Sequence, residues 1–251
     1  MTTTMNMQVF FTEIRSNLFG GHLSQGQVDG FNAILAECAR ETDFDHEQQS
    51  YILATAFHES AHTMAAIAEY GLGRGHPYGV IDPVTGKAYY GRGLVQLTWK
   101  YNYVTMGKLL GLDLVNHPEL ALDLVVAAKI LVMGMIKGLF APAAGPLSRY
   151  LVEGVLFDWI DARHEVNGTD QETLIAGYAE TIYAAMQKAL AAAPEPVPVP
   201  PLPIPLPVPL PVPVPLPVPI PVLPIPTPTP APGPDWFASF IIWIINKFRG
   251  N

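Results

Sequence analysis

Tyr89-Tyr90-Gly91-Arg92-Gly93-Leu94-Val95-Gln96-Leu97-Thr98, together with His58-Glu59-Ser60 and Glu69 upstream, is the stretch on which the reading of this chain turns. It holds two carboxylates, a glycine-hinged aromatic turn and a run of amide and hydroxyl side chains. Cutting a sugar polymer calls for one carboxyl to protonate the leaving oxygen and usually a second to activate water or stabilise an oxocarbenium-like transition state. Glu59 and Glu69 are the candidates.

Outward from that stretch the hydrophobic pattern is helical. Gln8 to Leu18 carries a stripe of Val9, Phe10, Phe11, Ile14 and Leu18, stopped by Gly20-Gly21. Ser24 with Gln27 spells a capping box that opens a helix to about Arg40, and Asp45 with Gln48 repeats the signal. The second of these predicts a helix from about His46 to Tyr70, with Ile52, Leu53, Ala56, Phe57, Ser60, Met64 and Ile67 inward and both carboxylates on it or at its end. Gly71 to Lys87 reads as an irregular loop with a short hairpin around Asp82-Pro83-Val84-Thr85-Gly86. Helical character resumes from Thr98 to Leu110 and from Pro118 to Leu139, the latter apolar nearly all round and suited to a central position. Thr169 with Glu172 predicts a last capping box and a helix through Ala193.

All but five of the 26 prolines (Pro77, Pro83, Pro118, Pro142 and Pro146 are the five) lie at or after Pro194. This composition break divides the chain into a globular domain, residues 1–193, a proline-rich linker, 194–234, and a terminal segment, 235–251. In the linker nearly every second residue is proline, which fixes φ and removes a backbone donor, so polyproline II is favoured and a semi-rigid spacer on the order of 100 Å results. Beyond it, Trp236-Phe237-Ala238-Ser239-Phe240-Ile241-Ile242-Trp243-Ile244-Ile245 ends in Lys247 and Arg249. The run is shorter than the roughly 18 to 20 residues a spanning helix needs. Its tryptophans and terminal cations suit a short apolar helix, residues 236–249, lying at a bacterial inner-membrane surface; docking on the globular domain is the alternative.

The formal net charge of −8 rests entirely on residues before the linker, because Glu195, Asp235, Lys247 and Arg249 cancel. Such a balance argues against a nucleic-acid partner, which needs clustered Lys and Arg. Cys38 is the single cysteine, so no intrachain disulfide forms. Met1 to Gly21 has no basic region followed by an apolar stretch and a small-residue cleavage site, which implies synthesis in a bacterial cytoplasm without a classical export signal.

His58-Glu59-Ser60-Ala61-His62 also matches H-E-x-x-H, a zinc-peptidase helix with two histidines one turn apart. The extended form wants Gly at 65 and His at 68, where Ala65 and Ala68 stand, so packing or supporting roles for both histidines are favoured and neither metal nor other cofactor is expected.

With Asn102-Tyr103 added, the segment from Tyr89 to Thr98 resembles the signature of glycoside hydrolase family 19, the chitinases and related bacteriophage endolysins of the lysozyme superfamily, over about Phe10 to Leu190. The absence of the cysteines of secreted plant chitinases and the compact stretch from Ile67 to Tyr78 place it nearer the phage branch. The resemblance implies a mostly α, lysozyme-like helical domain with a small irregular or β-hairpin lobe. It maps the general acid onto Glu59 and the water-activating base of a single inverting displacement onto Glu69. Thr98 joins the catalytic set as a holder of the attacking water, and Tyr90, Arg92, Gln96 and Asn102 become substrate contacts. Asn167 follows on the match Val166-Asn167-Gly168.

From the residues themselves, Ala56, Phe57 and Met64 around Glu59 imply a carboxyl kept protonated by burial, while Glu69, near Arg74 and two glycines, is the more exposed and ionised. Arg92 fits either the cleft or an ordinary ion pair, and Arg163 could reach a cleft carboxylate. Only nine residues separate Glu59 from Glu69, fewer than in plant enzymes, which keeps a lytic transglycosylase open beside a hydrolase. The reading is thus of a monomeric endolysin cutting the β-1,4 glycan of peptidoglycan. Its alternatives are a chitinase, a transglycosylase, a zinc peptidase or a non-catalytic cell-wall-binding virion component.

Overall fold

A computed structural model describes residues 5–41, 45–151 and 157–192, so the linker and the terminal segment lie outside the described residues. Seven α-helices and a two-stranded ribbon make up the described fold, in the order α1 (Met7–Asn17), α2 (Gln25–Cys38), α3 (His46–Glu59), β1 (Ile67–Ala68), β2 (Arg92–Gly93), α4 (Lys100–Leu110), α5 (Leu124–Ile136), α6 (His164–Asn167) and α7 (Glu172–Ala191). The fold is mostly α, as the hydrophobic periodicity implies.

Helix starts follow the local chemistry. Asn6 accepts from the backbone N–H groups of Gln8 and Val9, and Ser24 and Gln27 form the reciprocal box that the sequence spells. Asp45 caps α3 through the Gln48 N–H at 3.0 Å. The centre of the fold is α3, whose residues from Tyr51 to Phe57 are all buried as it packs along α7 and touches α2 and α5. Helix α5 packs against α2, α3 and α4, with Ala127, Ala128, Ile130, Leu131 and Met135 buried, in keeping with its nearly continuous apolar run.

Three expected boundaries are corrected. Helix α3 stops at Glu59 instead of running to Tyr70. Ser60 closes it, its Oγ accepting from the Met64 N–H at 2.9 Å, and Ala61, His62 and Met64 take left-handed φ values of 51°, 67° and 55°. This turn drives Met64 into the core against Gly30 of α2, where a Cβ would sit 2.1 Å from the Met64 carbonyl oxygen. Glu69 therefore follows β1 and is not on the helix.

The expected helix from Pro118 is two elements. A 3-10 turn, Pro118–Leu122, ends at Asp123, whose extended backbone and side chain cap α5 through the N–H groups of Val125 and Val126 at 3.0 Å. The last helix begins at Glu172, and Thr169 does not form the expected capping box, because Gly168 (φ 62°) and Gln171 (φ 58°) hold the entry outside helical geometry.

The strand pair is also elsewhere than expected. Ile67 pairs with Gly93 and Ala68 with Arg92 in an antiparallel ribbon. Residues 82–87 form a closed turn without strands, in which Asp82 Oδ1 accepts from the N–H groups of Val84 and Thr85 and its own N–H donates to the Lys87 carbonyl. Its other oxygen grips Lys100 at 2.7 Å and so pins the start of α4 to this turn.

Candidate active site

The end of α3, the β1–β2 ribbon and the start of α4 place the candidate residues. Glu59 is the last residue of α3, held from behind by a segment far along the chain: Nη2 of Arg163 lies 2.9 Å from Glu59 Oε1. The guanidinium is 1% exposed and the carboxyl side chain 17%. Neither terminal nitrogen of Arg163 has an aligned hydrogen-bond acceptor, so the contact acts chiefly through charge. Arg163 is itself fixed by its Nε, which donates to the Asp170 carbonyl at 2.9 Å. The expectation of an apolar seat for Glu59 is therefore corrected: the carboxyl lies beside a buried cation.

Glu69 is tied to the glycine hinge. Its N–H donates to the Gly91 carbonyl at 2.9 Å, and its Oε2 accepts from the Gly91 N–H at 3.3 Å. A Cβ at position 91 would meet Gln96 Oε1 at 2.8 Å and Glu69 Oε2 at 3.0 Å, which is the physical reason for glycine there. Tyr78, which the sequence reading did not single out, faces this carboxylate. Its phenol is raised above the ordinary range, first by burial and then by the charge of Glu69 and a hydrogen bond to it. Glu69 is half-buried, where the sequence suggested an exposed helix end.

Of the expected substrate contacts, two are committed to the fold. Arg92 is buried, and its Nη1 donates to the carbonyls of Ala88 and Tyr90 at 3.1 and 3.2 Å and to the Tyr103 hydroxyl at 2.9 Å. It also sits 3.5 Å from the centroid of the Tyr90 ring. Neither a cleft contact nor an ion pair, it ties together the loop that carries Tyr90. Gln96 has a φ of 54°, and its Nε2 donates to the carbonyls of Ile67 and Gly93 at 3.2 and 3.1 Å. That amide clips the ribbon shut and has no donor left for a sugar.

Thr98 and Asn102 do meet at a concavity. A cavity of about 200 Å³ is lined by both, by Gln96, Trp99 and Tyr101, and by Phe140 and Val166 from later in the chain. Asn102 Nδ2 donates to the Thr98 carbonyl at 2.9 Å, closing the first turn of α4. Tyr90 is half-buried, with Arg92 over its ring. Asn167 ends α6, and its side chain lies outside the described residues. A larger cavity, about 600 Å³, is bounded by residues that include Arg149, Tyr150, Asp158, Asp161 and His164, none of them an expected site residue.

The two histidines of the H-E-x-x-H pattern do not share a helix face. Helix α3 ends between them, and the His62 ring stacks on Phe57 with centroids 4.1 Å apart, its carbonyl accepting from Gln27 Nε2 at 3.0 Å. His58 is half-buried, and burial above all lowers it below the usual imidazole range, against the opposing pull of Glu59. The pairwise geometry that the zinc motif requires is absent.

Beneath Glu59, Tyr51 and Thr55 extend the same face of α3 as buried polar side chains, both with an unpartnered oxygen. Glu165 is buried nearby without a hydrogen bond to either oxygen, and burial pushes its carboxyl up to about 10. It is neutral at physiological pH. Pattern reading had no means of finding this residue, since a glutamate in a short helix looks like surface.

Residues 53–138 match the family model described as chitinase class I. A basic endochitinase B of Arabidopsis thaliana is 54% identical over 46 residues, 18% of this chain and 14% of that protein. An inactive chitinase-like protein 1 of Hevea brasiliensis is 58% identical over 45 residues, again 18% of this chain and 14% of the other. The chain thus spans about one seventh of these curated relatives, and one of them is described as inactive. Among solved structures, a bacterial family 19 chitinase superposes with a TM-score of 0.52 at 24% identity, covering 76% of this chain and 96% of that one. Chitinase C from Streptomyces griseus HUT6037 does so with a TM-score of 0.51 at 20% identity, covering 78% and 80%. Residues 53–138 are thus similar to the chitinase class I family model, and the described chain shares the helical fold of these two solved chitinases.

Proposed function

We propose that the protein is a glycosidase that hydrolyses β-1,4 bonds between N-acetylated amino sugars of bacterial peptidoglycan. The observation that carries the reading is the arrangement of its two carboxyls: Glu59 backed by Arg163 at 2.9 Å, and Glu69 hinged on Gly91. Glu59 is the proton donor. When its proton moves to the bridging oxygen, the carboxylate left behind faces the buried guanidinium of Arg163. Glu69 accepts a proton from the attacking water, and Thr98, whose hydroxyl has no partner within the described residues, holds that water. Tyr90 and Asn102 contact the sugar, whereas Arg92 and Gln96 hold the loop that presents them.

Peptidoglycan is favoured over chitin by the single cysteine, by the compact stretch between Ile67 and Tyr78, and by the apolar terminal segment 236–249, which suits tethering at an inner membrane. In this reading the protein is a monomeric bacteriophage endolysin made in the host cytoplasm, with residues 194–234 as spacer. The second reading, a chitinase, is favoured by the named endochitinases among its relatives. Mass spectrometry of products from purified peptidoglycan and from chitin decides between them. New reducing ends from peptidoglycan are expected; anhydro ends mean a transglycosylase, and cleaved stem peptides with intact strands refute the proposal. Chelator treatment leaves activity unchanged on this reading, whereas a zinc peptidase loses it.

A further inference from the structure

Trp99 adopts φ 68° and ψ 132°, a backbone region that side-chain-bearing residues rarely enter. Its N–H donates to the Tyr89 carbonyl at 2.9 Å and its carbonyl accepts from the Asn102 N–H at 3.0 Å, so the peptide is held in place on both sides. Trp99 is 39% exposed, so part of its surface remains open to a ligand.

The ring stands in a row. Tyr78 meets it edge-on at 5.5 Å, His76 stacks on Tyr78 at 4.9 Å and 4°, and Tyr101, 62% exposed, lies 6.3 Å from the indole with its plane only 24° away. The row begins at the reacting groups, because Tyr78 faces Glu69, and Trp99 and Tyr101 line the cavity that contains Thr98 and Asn102. Lys100 lies between the last two rings in sequence but is drawn away to Asp82 at 2.7 Å, leaving the ring faces without a charge of their own. An uncharged aromatic surface continuous with a polar groove suits a pyranose chain, whose faces are apolar C–H and whose edges are hydroxyl and amide.

We propose that Trp99, bracketed by Tyr78 and Tyr101, is a stacking platform for the outlying sugars of a β-1,4-linked N-acetylhexosamine strand and gives the protein its preference for long chains over short ones. The inference rests on the glycosidase reading. It adds a specificity-determining residue that acts on binding and not on bond cleavage.

The test uses the full-length chain carrying Glu59→Gln, so that binding is read without turnover. Affinity for an N-acetylglucosamine hexasaccharide and a disaccharide is measured by calorimetry, and partitioning onto insoluble chitin and onto peptidoglycan sacculi by sedimentation. Trp99→Gly is expected to weaken hexasaccharide binding about tenfold, with a smaller effect on the disaccharide, while Trp99→Phe retains most of the affinity. Glycine accepts this φ without strain but loses the packing of the ring, so the unfolding midpoint of Trp99→Gly is read beside its affinity. Unchanged hexasaccharide affinity in Trp99→Gly overturns the proposal. So does a loss that follows a lowered midpoint and is not rescued by phenylalanine, or a change of oligomeric state alone, which would assign the rings to a second copy. If the Glu59 form releases no saccharide yet the Glu59→Gln form binds the hexasaccharide through Trp99, the glycosidase reading fails and the platform stands. The two insoluble polymers separate a chitin strand from a peptidoglycan strand as its source.

Discussion

At the scale of single residues, the charge partner of Glu59 and the burial of Glu165 define what each carboxyl can do. Glu59→Gln keeps the shape of the side chain and removes the transferable proton. Glycan cleavage should fall by about 100-fold or more, read as reducing ends released, with an unchanged circular dichroism spectrum. Arg163 is a buried cation whose only charge partner is Glu59 among the described residues. Arg163→Met leaves that carboxylate without its counter-charge, and Glu59→Gln leaves Arg163 so, but the side chain remaining after Arg163→Met is the more exposed of the two and can reach water.

Glu165 gives a stability prediction with a definite sign. Its folded pKa, pushed up to about 10 by burial, lies above that of the unfolded chain. Between roughly pH 4.5 and pH 10 the unfolded state therefore gives up a proton that the folded state keeps, and stability falls as pH rises. Glu165→Gln removes this penalty. Its unfolding midpoint should match the parent near pH 4 and exceed it at pH 8, and an equal midpoint at both would contradict the neutral-acid assignment. Cys38 is buried and its thiol is raised to about 12, by burial first and then by Glu37. It is an inert core group.

At the scale of elements, the site depends on where helices stop. Ser60 and the left-handed residues that follow it turn the chain away from α3, so that Glu59 ends a helix while Glu69 leaves a strand. Gly91 is the joint between the strand and Glu69. Gly91→Ala introduces a Cβ 2.8 Å from Gln96 Oε1 and 3.0 Å from Glu69 Oε2, so one of these groups must move. With Glu69 as the proposed base, its displacement is expected to cost about 10- to 100-fold in turnover, with a smaller effect on binding. Steady-state kinetics on a soluble glycan oligomer measures both.

The elements also show how far local signals carry. The Ser24 box acts as its sequence states, and Asp45 caps α3 through the Gln48 N–H, because a capping side chain needs only the backbone three residues ahead. The box expected at Thr169 and Glu172 fails because Gly168 and Gln171 take left-handed φ values, in a turn where Arg163, outside that local window, bonds the Asp170 carbonyl. Gln96 and Arg92 were legible as polar residues of the signature stretch. That their donors are used up by the carbonyls of Ile67, Gly93, Ala88 and Tyr90 depends on a chain path no motif specifies.

At the scale of the whole molecule, the proposed function divides labour between the helical domain, residues 194–234 as spacer and residues 235–251 as tether. If residues 236–249 lie at a membrane surface, full-length protein should co-sediment with vesicles rich in anionic lipid. Replacing Trp236 and Trp243 by serine should abolish this while glycan cleavage in solution stays unchanged. The sequence alone determined the mostly helical class, the composition break at Pro194, the two carboxylates and the glycine-hinged stretch, because periodicity, capping and proline chemistry act over a few residues. Only the tertiary structure decided that α3 ends at Glu59, that Arg163 stands behind it, that Arg92 and Gln96 serve the fold, and that Tyr78 and Trp99 border the groove. Each of these follows from contacts between residues distant in sequence, where burial and partner geometry outweigh local preference.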